Sequence, residues 1–149
     1  MVTVVGSETS FEKLVTDLIS LEYDAIAAYE TCIERLDDKT LSSQVASFRE
    51  DHLTHLATLN EIAREAAIEA PSKGDLKQIL TIGKVALAAI IGDAAILKAM
   101  KTNEDDTVTA YERAMHHEDA QPETKAFFMK SHLDEMRHRD WMATSASAI

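Results

Sequence analysis

The chain repeats one pattern of polar residues on apolar helical faces. The stretches Glu22–Glu30 and Glu104–Glu112 both read Glu, six residues, Tyr-Glu, with alanine before the tyrosine. Seven residues make about two turns of an α-helix, so each glutamate shares a face with its tyrosine. The same faces carry apolar residues such as Leu18 and Val108. The repeat therefore predicts two related helices, each with a glutamate directed into the core.

A second pattern follows each of these stretches. Residues 51–55 contain His-x-x-His, and residues 134–138 contain Glu-x-x-His. From the tyrosine to the last histidine is 26 residues in the first half and 27 in the second. Residues three apart lie on adjacent turns of one face, so each pair can direct both side chains to one point. The two halves predict a duplicated αα-hairpin.

The buried polar residues of this arrangement predict a metal site. An ionised glutamate on a core face is costly unless it is paired or bound to a metal. Packing of the four helices would bring six such side chains to one interior point. They are Glu22, His52, His55, Glu104, Glu135 and His138. Carboxylates combined with imidazoles suit iron, manganese or zinc.

Each of these residues alone has a structural explanation, and only their joint occurrence in a duplicated frame favours metal binding.

The roles of the other polar residues are predicted from their positions. Three residues are candidates for supporting the ligands through hydrogen bonds, or else for facing solvent: Asp51, Asp134 and His132. Two near a helix C-terminus are interpreted as structural: His116 and His117. The single cysteine, Cys32, lies on the apolar stripe of Tyr29 and is interpreted as an inert core residue.

The sequence predicts an all-α, antiparallel four-helix bundle that forms a single domain over residues 1–149. Only four glycines and two prolines interrupt 149 residues, which favours a few long helices. The expected helices span 10–36, 41–70, 76–118 with a break near residue 92, and 122–143. Thr9 (with Glu12 as its capping box) and Asp75 are the expected N-caps, and 143–149 is expected to be a frayed tail.

Composition limits the partners. The formal net charge of -11, from 15 basic and 26 acidic residues, argues against nucleic acid and anionic membranes. The first ten residues lack the basic region of a signal peptide. The apolar stretch 85–91 is too short to span a bilayer. A cytoplasmic protein is expected.

At these residues the chain resembles the ferritin-like superfamily, specifically rubrerythrin-type domains. Their pattern is a helix with Glu-x6-Tyr and a helix with Glu-x-x-His, followed by the same two again. The stretch 92–112 also resembles a family of uncharacterised bacterial ferritin-like proteins. The resemblance runs from about residue 9 to 142 and implies a long crossover between the second and third helices of the bundle. The ligand roles it implies are terminal for Glu22 and Glu104, bridging for Glu135, and histidine ligands for His55 and His138.

The resemblance also implies two iron ions, with manganese or zinc as alternatives, acting on oxygen, peroxide or ferrous iron. Such a protein would be an oxidoreductase of the ferroxidase type, although the sequence leaves open whether it is an enzyme. His52 stands where the family usually has a second bridging glutamate. The site can therefore hold two metals asymmetrically, hold one, or be a remnant.

Two other functions remain open from the sequence. The first is a non-enzymatic bundle whose polar core fixes helix register and whose apolar surface at 85–91 mediates assembly. A homo-oligomer, in particular a dimer, is expected in either case. The second is a single-metal hydrolytic site, which lacks a clear general base.

Overall fold

A computed structural model describes residues 3–149, and all of its regular secondary structure is helical. Within these residues there are five helices and no strand, which confirms the all-α prediction. The first ten residues, which lack the features of a signal peptide, include Met1 and Val2, and these two lie outside the described residues. The helices are α1 Phe11–Arg35, α2 Lys39–Glu65, α3 Lys77–Ala88, α4 Asp93–Ala114 and α5 Pro122–Ala148.

The long helices pack in two pairs. A three-residue turn joins α1 to α2, which pack on each other, and α4 packs likewise on α5. The pairs meet through α1 against α4 and through α2 against α5, while α3 packs on α1. The Asp93 carboxylate, at the start of α4, accepts the backbone N–H groups of Asp37 and Asp38 at 2.9 and 3.0 Å. This contact fixes the beginning of α4 against the α1–α2 turn.

The apolar core is divided into two clusters. Along α1, the first cluster extends to Ile19 and the second begins at Tyr29. Along α5, Phe128 belongs to the first cluster and Met142 to the second. Fully buried polar residues occupy the space between them on both helices. The fold therefore excludes water from a polar centre with an apolar layer on either side.

Helix α2 ends at Glu65, five residues before the expected end at residue 70. The chain leaves the helix through a left-handed residue, Ala67, at φ 56°. The N–H of Ile68 donates to Ala63 O at 2.8 Å, and that of Ala67 to Arg64 O at 3.2 Å. This is a Schellman ending, in which glycine usually takes the left-handed position. Alanine there gives no sequence signal for a helix end, so the sequence predicts that the helix continues until the residue before Pro71.

Replacing Ala67 by glycine should stabilise the protein by about 0.5–1 kcal/mol, because glycine avoids the left-handed penalty of an L-residue but costs more backbone entropy. The control is Ala66→Gly, since Ala66 has φ -90° and no such strain. The control should be neutral or destabilising. Urea denaturation of the two variants measures both effects, and equal changes would contradict the argument.

Two N-caps differ from those expected. Ser10 rather than Thr9 caps α1, and its hydroxyl accepts the N–H of Lys13 at 3.2 Å. Leu76 rather than Asp75 occupies the cap position of α3, with no side-chain hydrogen bond. The Asp75 carboxylate accepts the N–H of Ser72 at 2.9 Å instead, because the two residues form a turn of their own.

Two helix ends also differ from the expected boundaries, and the predicted break is present. Helix α4 begins after Gly92, whose φ of 93° interrupts the helical path. It ends at Ala114 rather than near residue 118, where the chain continues in tighter turns. Residues 143–148, expected to fray, continue α5 because Ala146 is buried against the second core cluster.

Helix α3 is mostly exposed although it is apolar. Of its 12 residues only Leu80 and Leu87 are buried. Ile79, Ile82 and Val85 are 63–67 % exposed. Among the described residues, no helix is both long and apolar enough to cross a membrane.

Candidate metal centre

Four helices bring the six predicted side chains together between the two core clusters. Helix α1 contributes one of them, α2 two, α4 one and α5 two. All are at most 2 % exposed. We call them the His–Glu cluster: Glu22, His52, His55, Glu104, Glu135 and His138.

The cluster contains two overlapping groups of four residues. In each group, one ligand atom from every residue lies within 4.8 Å of the others. The Glu22 position consists of Glu22, His52, His55 and Glu135, and the Glu104 position consists of His52, Glu104, Glu135 and His138. His52 and Glu135 therefore belong to both positions.

The Glu135 carboxylate spans the two positions. Its Oε1 lies 3.2 Å from His55 Nδ1, at the Glu22 position. Its Oε2 lies 3.4 Å from His138 Nδ1, at the Glu104 position. The two oxygens of one carboxylate thus face different positions, as a bridging ligand requires.

Two aspartates hold the outer nitrogens of the histidines. His55 Nε2 lies 2.8 Å from Asp134 Oδ2, and His138 Nε2 lies 2.8 Å from Asp51 Oδ2. Asp134 lies on α5 and Asp51 on α2, so each aspartate lies on a different helix from the histidine that it contacts. Such contacts fix the ring orientation and direct Nδ1 inward. The third candidate, His132, is half-buried, with no hydrogen bond to the cluster.

Each of the two repeated tyrosines donates a hydrogen bond to a glutamate of the other half. Tyr111 on α4 donates to Glu22 Oε1 at 2.7 Å, and Tyr29 on α1 donates to Glu104 Oε1. Each tyrosine therefore reaches the glutamate of the other hairpin rather than the one on its own helix. The exchange holds both carboxylates in place and ties α1 to α4 at the level of the cluster.

Four inward atoms of the cluster have no hydrogen-bond partner. They are His52 Nε2, His55 Nδ1, His138 Nδ1 and Glu135 Oε1. Buried polar atoms without partners are uncommon and costly in folded proteins. All four are atom types that coordinate metals, and the residues that carry them belong to the two overlapping groups. The donor set therefore fits a metal ion.

The charges in the cluster are shared unequally between its members. Burial raises the pKa of Glu104 to about 7, and the negative charge of Glu135 adds to this rise. Burial also raises the pKa of Glu135. The charge of His52 and the hydrogen bonds from neighbouring residues outweigh burial, so the pKa of Glu135 lies well below normal. Burial lowers the pKa of His55, yet Asp134 and the cluster glutamates raise it to about 11. Burial also lowers the pKa of His52, but the negative charge of Glu135 outweighs burial and raises this pKa well above normal.

Thr107 contacts the cluster but was not among the predicted site residues. Its hydroxyl oxygen lies 3.0 Å from Glu104 Oε2 and 3.1 Å from Glu135 Oε2. It also lines a crevice of about 40 Å³ between α1 and α4, which is large enough for one or two small molecules. The corresponding residue of the first half is Ala25, so the repeat gives no signal for a hydroxyl at this position.

The remaining candidate residues lie outside the cluster. His117 is buried and bonds Glu8 O through Nε2 at 3.1 Å, while His116 is exposed. The contacts of His117 fit a structural role, whereas the structural role of His116 stays a prediction. Cys32 is fully buried in the second core cluster, and burial raises the pKa of its thiol to about 12. The thiol is therefore unreactive at neutral pH.

The fold and this centre define an all-helical protein with a buried histidine–carboxylate cluster that could hold a metal ion. Residues 11–117 match the family described as "Domain of unknown function (DUF2383)", and the chain belongs to that family. The match covers α1 to α4, so Glu135 and His138 on α5 lie beyond it. No curated protein and no solved structure matches the chain.

Proposed function

We propose that the His–Glu cluster is a metal centre of the ferritin-like type, housed in an antiparallel four-helix bundle that forms one domain. The observation that carries the proposal is the set of four buried ligand atoms without a hydrogen-bond partner, on residues whose ligand atoms lie within 4.8 Å of one another in each of two groups. Two metal positions share Glu135, which matches the inward carboxylate pattern of di-iron bundles. Iron is the metal we favour, with manganese or zinc as alternatives.

We propose that the centre acts on oxygen, peroxide or ferrous iron. Bound iron would supply one-electron and oxygen chemistry. The chain's own residues exclude bulk water by burial and hold the ligands in place. Asp51 and Asp134 orient histidines, and Tyr29 and Tyr111 hold glutamates. The crevice beside Thr107 supports a reactant as small as an oxygen or peroxide molecule.

Metal content is the direct test of this proposal. Protein purified without chelators or a histidine tag should retain iron, manganese or zinc, measured by inductively coupled plasma analysis. His138→Gln and Glu104→Gln should each lose most of the metal, because each removes a donor from one position. His116→Gln is the control, since His116 is exposed and remote from the cluster, and it should keep the wild-type content.

Wild-type protein that retains no metal and takes up none in an iron titration of the metal-free form would contradict the metal centre. Metal content that is the same in the His138, Glu104 and His116 variants would contradict it as well, because the bound ion would then lie elsewhere.

A second candidate function is association through α3. Ile79, Ile82 and Val85 on α3, and Ile91 just after it, are each at least 63 % exposed, and clusters of exposed apolar residues often mark protein–protein contacts. The occupant we favour is a second copy of this chain. Helix α3 carries Lys77 and Lys84 and no acidic residue, whereas the chain has a net charge of -11. The acidic surface of another copy is therefore complementary to α3.

Light scattering coupled to size-exclusion chromatography tests this association. Wild-type protein should form a dimer or larger assembly, and Ile82→Gln should shift it toward the monomer. Met129→Gln is the matched control, because Met129 is also an exposed apolar residue but lies on α5. A monomeric wild type, or equal effects of the two variants, would contradict a role for α3. Assembly that persists in EDTA would separate this function from metal binding.

A further inference from the structure

Each histidine of the cluster has one engaged and one free ring nitrogen. His52 Nδ1 lies 2.8 Å from Glu22 Oε2, just as Nε2 of the other two histidines lies 2.8 Å from an aspartate. A neutral imidazole has one N–H group and one lone pair. In the neutral form the N–H group belongs on the nitrogen that makes the 2.8 Å hydrogen bond to a carboxylate, so the lone pair lies on the nitrogen without a hydrogen bond.

The ring nitrogens without a hydrogen bond are distributed unequally between the Glu22 and Glu104 positions. His52 Nε2 lies 3.5 Å from Glu104 Oε1, and His138 Nδ1 lies 4.0 Å from Glu104 Oε2. His55 Nδ1 lies 3.4 Å from Glu22 Oε1. Once the imidazoles are neutral, as metal binding requires, two lone pairs therefore face the Glu104 position and only one faces the Glu22 position.

The role of His52 explains this difference. Its equivalent in the second half is Glu135, whose two oxygens can serve both positions at once. A neutral imidazole has no second lone pair to do the same. At the Glu22 position His52 instead donates its N–H group to Glu22 Oε2, the oxygen opposite the one that Tyr111 holds. His52 is thus a ligand on one side and a positioning residue on the other.

We propose that the two positions are unequal, and that the Glu104 position binds its metal ion first and more tightly. This inference rests on the proposed metal centre and concerns the order and strength of binding. The Glu104 position has four donors, from Glu104, Glu135, His52 and His138, whereas the Glu22 position has three. Loss of a hydrogen-bonding partner behind a ligand already costs a metal site roughly 10- to 100-fold in affinity, and a missing ligand should cost at least as much. The two dissociation constants should differ by at least about tenfold.

A matched pair of variants tests the proposal. His138 and His55 are equivalent residues of the two halves, but each belongs to one position only. Metal-free wild type, His138→Gln and His55→Gln are titrated with Mn²⁺ by calorimetry, and bound ions are counted by electron paramagnetic resonance. Wild type should show a tight and a weak step. His138→Gln should lose the tight step, whereas His55→Gln should keep it and lose the weak one.

Equal affinities in the wild type, or equal losses in the two variants, would contradict the inequality and leave the metal centre intact. Wild type that binds no Mn²⁺, Fe²⁺ or Zn²⁺ would contradict the metal centre itself. Circular dichroism verifies that each variant folds. If one glutamine variant does not fold, His52→Glu gives an independent test, because a carboxylate there can face both positions. The two steps should then approach each other, and an unchanged separation would overturn the proposal.

Discussion

Glu135→Gln should destabilise the metal-free protein by about 3–5 kcal/mol, the usual cost of removing one member of a buried ion pair. Both Glu135 and Glu104 are buried in the same cluster, at 0 and 1 % exposure. Their protonation differs, however. His52 helps to hold the pKa of Glu135 well below normal, so this carboxylate is ionised and paired. Its loss removes one of the two carboxylates that offset a buried positive charge on His52, the other being Glu22.

Glu104→Gln is the matched control and should cost about 1 kcal/mol or less, comparable to one neutral hydrogen bond. Burial raises the pKa of Glu104 to about 7, so at pH 7 roughly half of the molecules already carry it uncharged. Urea denaturation of both variants in EDTA at pH 6 and 7 measures the difference. The contrast should be larger at pH 6, where more of Glu104 is protonated. Equal destabilisation by the two changes would show that the charges are shared in another way.

The position of the cluster could be predicted from the sequence because its signal is periodic. Glu22 and Glu104 lie on apolar faces where an isolated carboxylate is costly, and the same spacing occurs twice. Helical geometry then fixes which residues share a face. The structure brings all six predicted residues together for this reason. Their role as metal ligands stays a prediction.

The contacts that support the cluster could not be predicted in full. The crossing of Tyr29 and Tyr111 between the halves depends on how α1 packs against α4, which periodicity on one helix does not describe. Thr107 has no equivalent in the repeat, where Ala25 stands. A repeat identifies residues that occur in both halves, so it gives no signal for a residue present in only one.

The accuracy of the predicted helix boundaries was limited for a different reason. Cap signals involve only three or four residues, and neighbouring residues often compete for the same role. Thr9 and Ser10 are both good N-caps, and only the path of the chain selects Ser10. Ala67 takes a conformation that alanine rarely adopts, because Ile68 packs onto the first core cluster. In both cases tertiary contacts outweigh the local preference.

Metal affinity should rise steeply with pH. In the metal-free protein the pKa of His55 is about 11, and that of His52 is well above normal, so both imidazoles are protonated at neutral pH. An imidazole must be neutral to bind a metal, so filling both positions should release at least two protons. The product of the two binding constants should then rise roughly 10⁴-fold between pH 6 and 8, tenfold per proton and per pH unit.

The stability of the metal-free protein should change in the opposite direction. The pKa of His55 in the folded protein lies above its unfolded value of about 6.5, so the contribution to stability is full below pH 6.5. It declines as pH rises toward 11, because the unfolded chain gives up its proton first. Calorimetry in buffers of different ionisation enthalpy counts the released protons, and thermal melts in EDTA follow stability. Metal binding without proton release would contradict the charges assigned to His52 and His55.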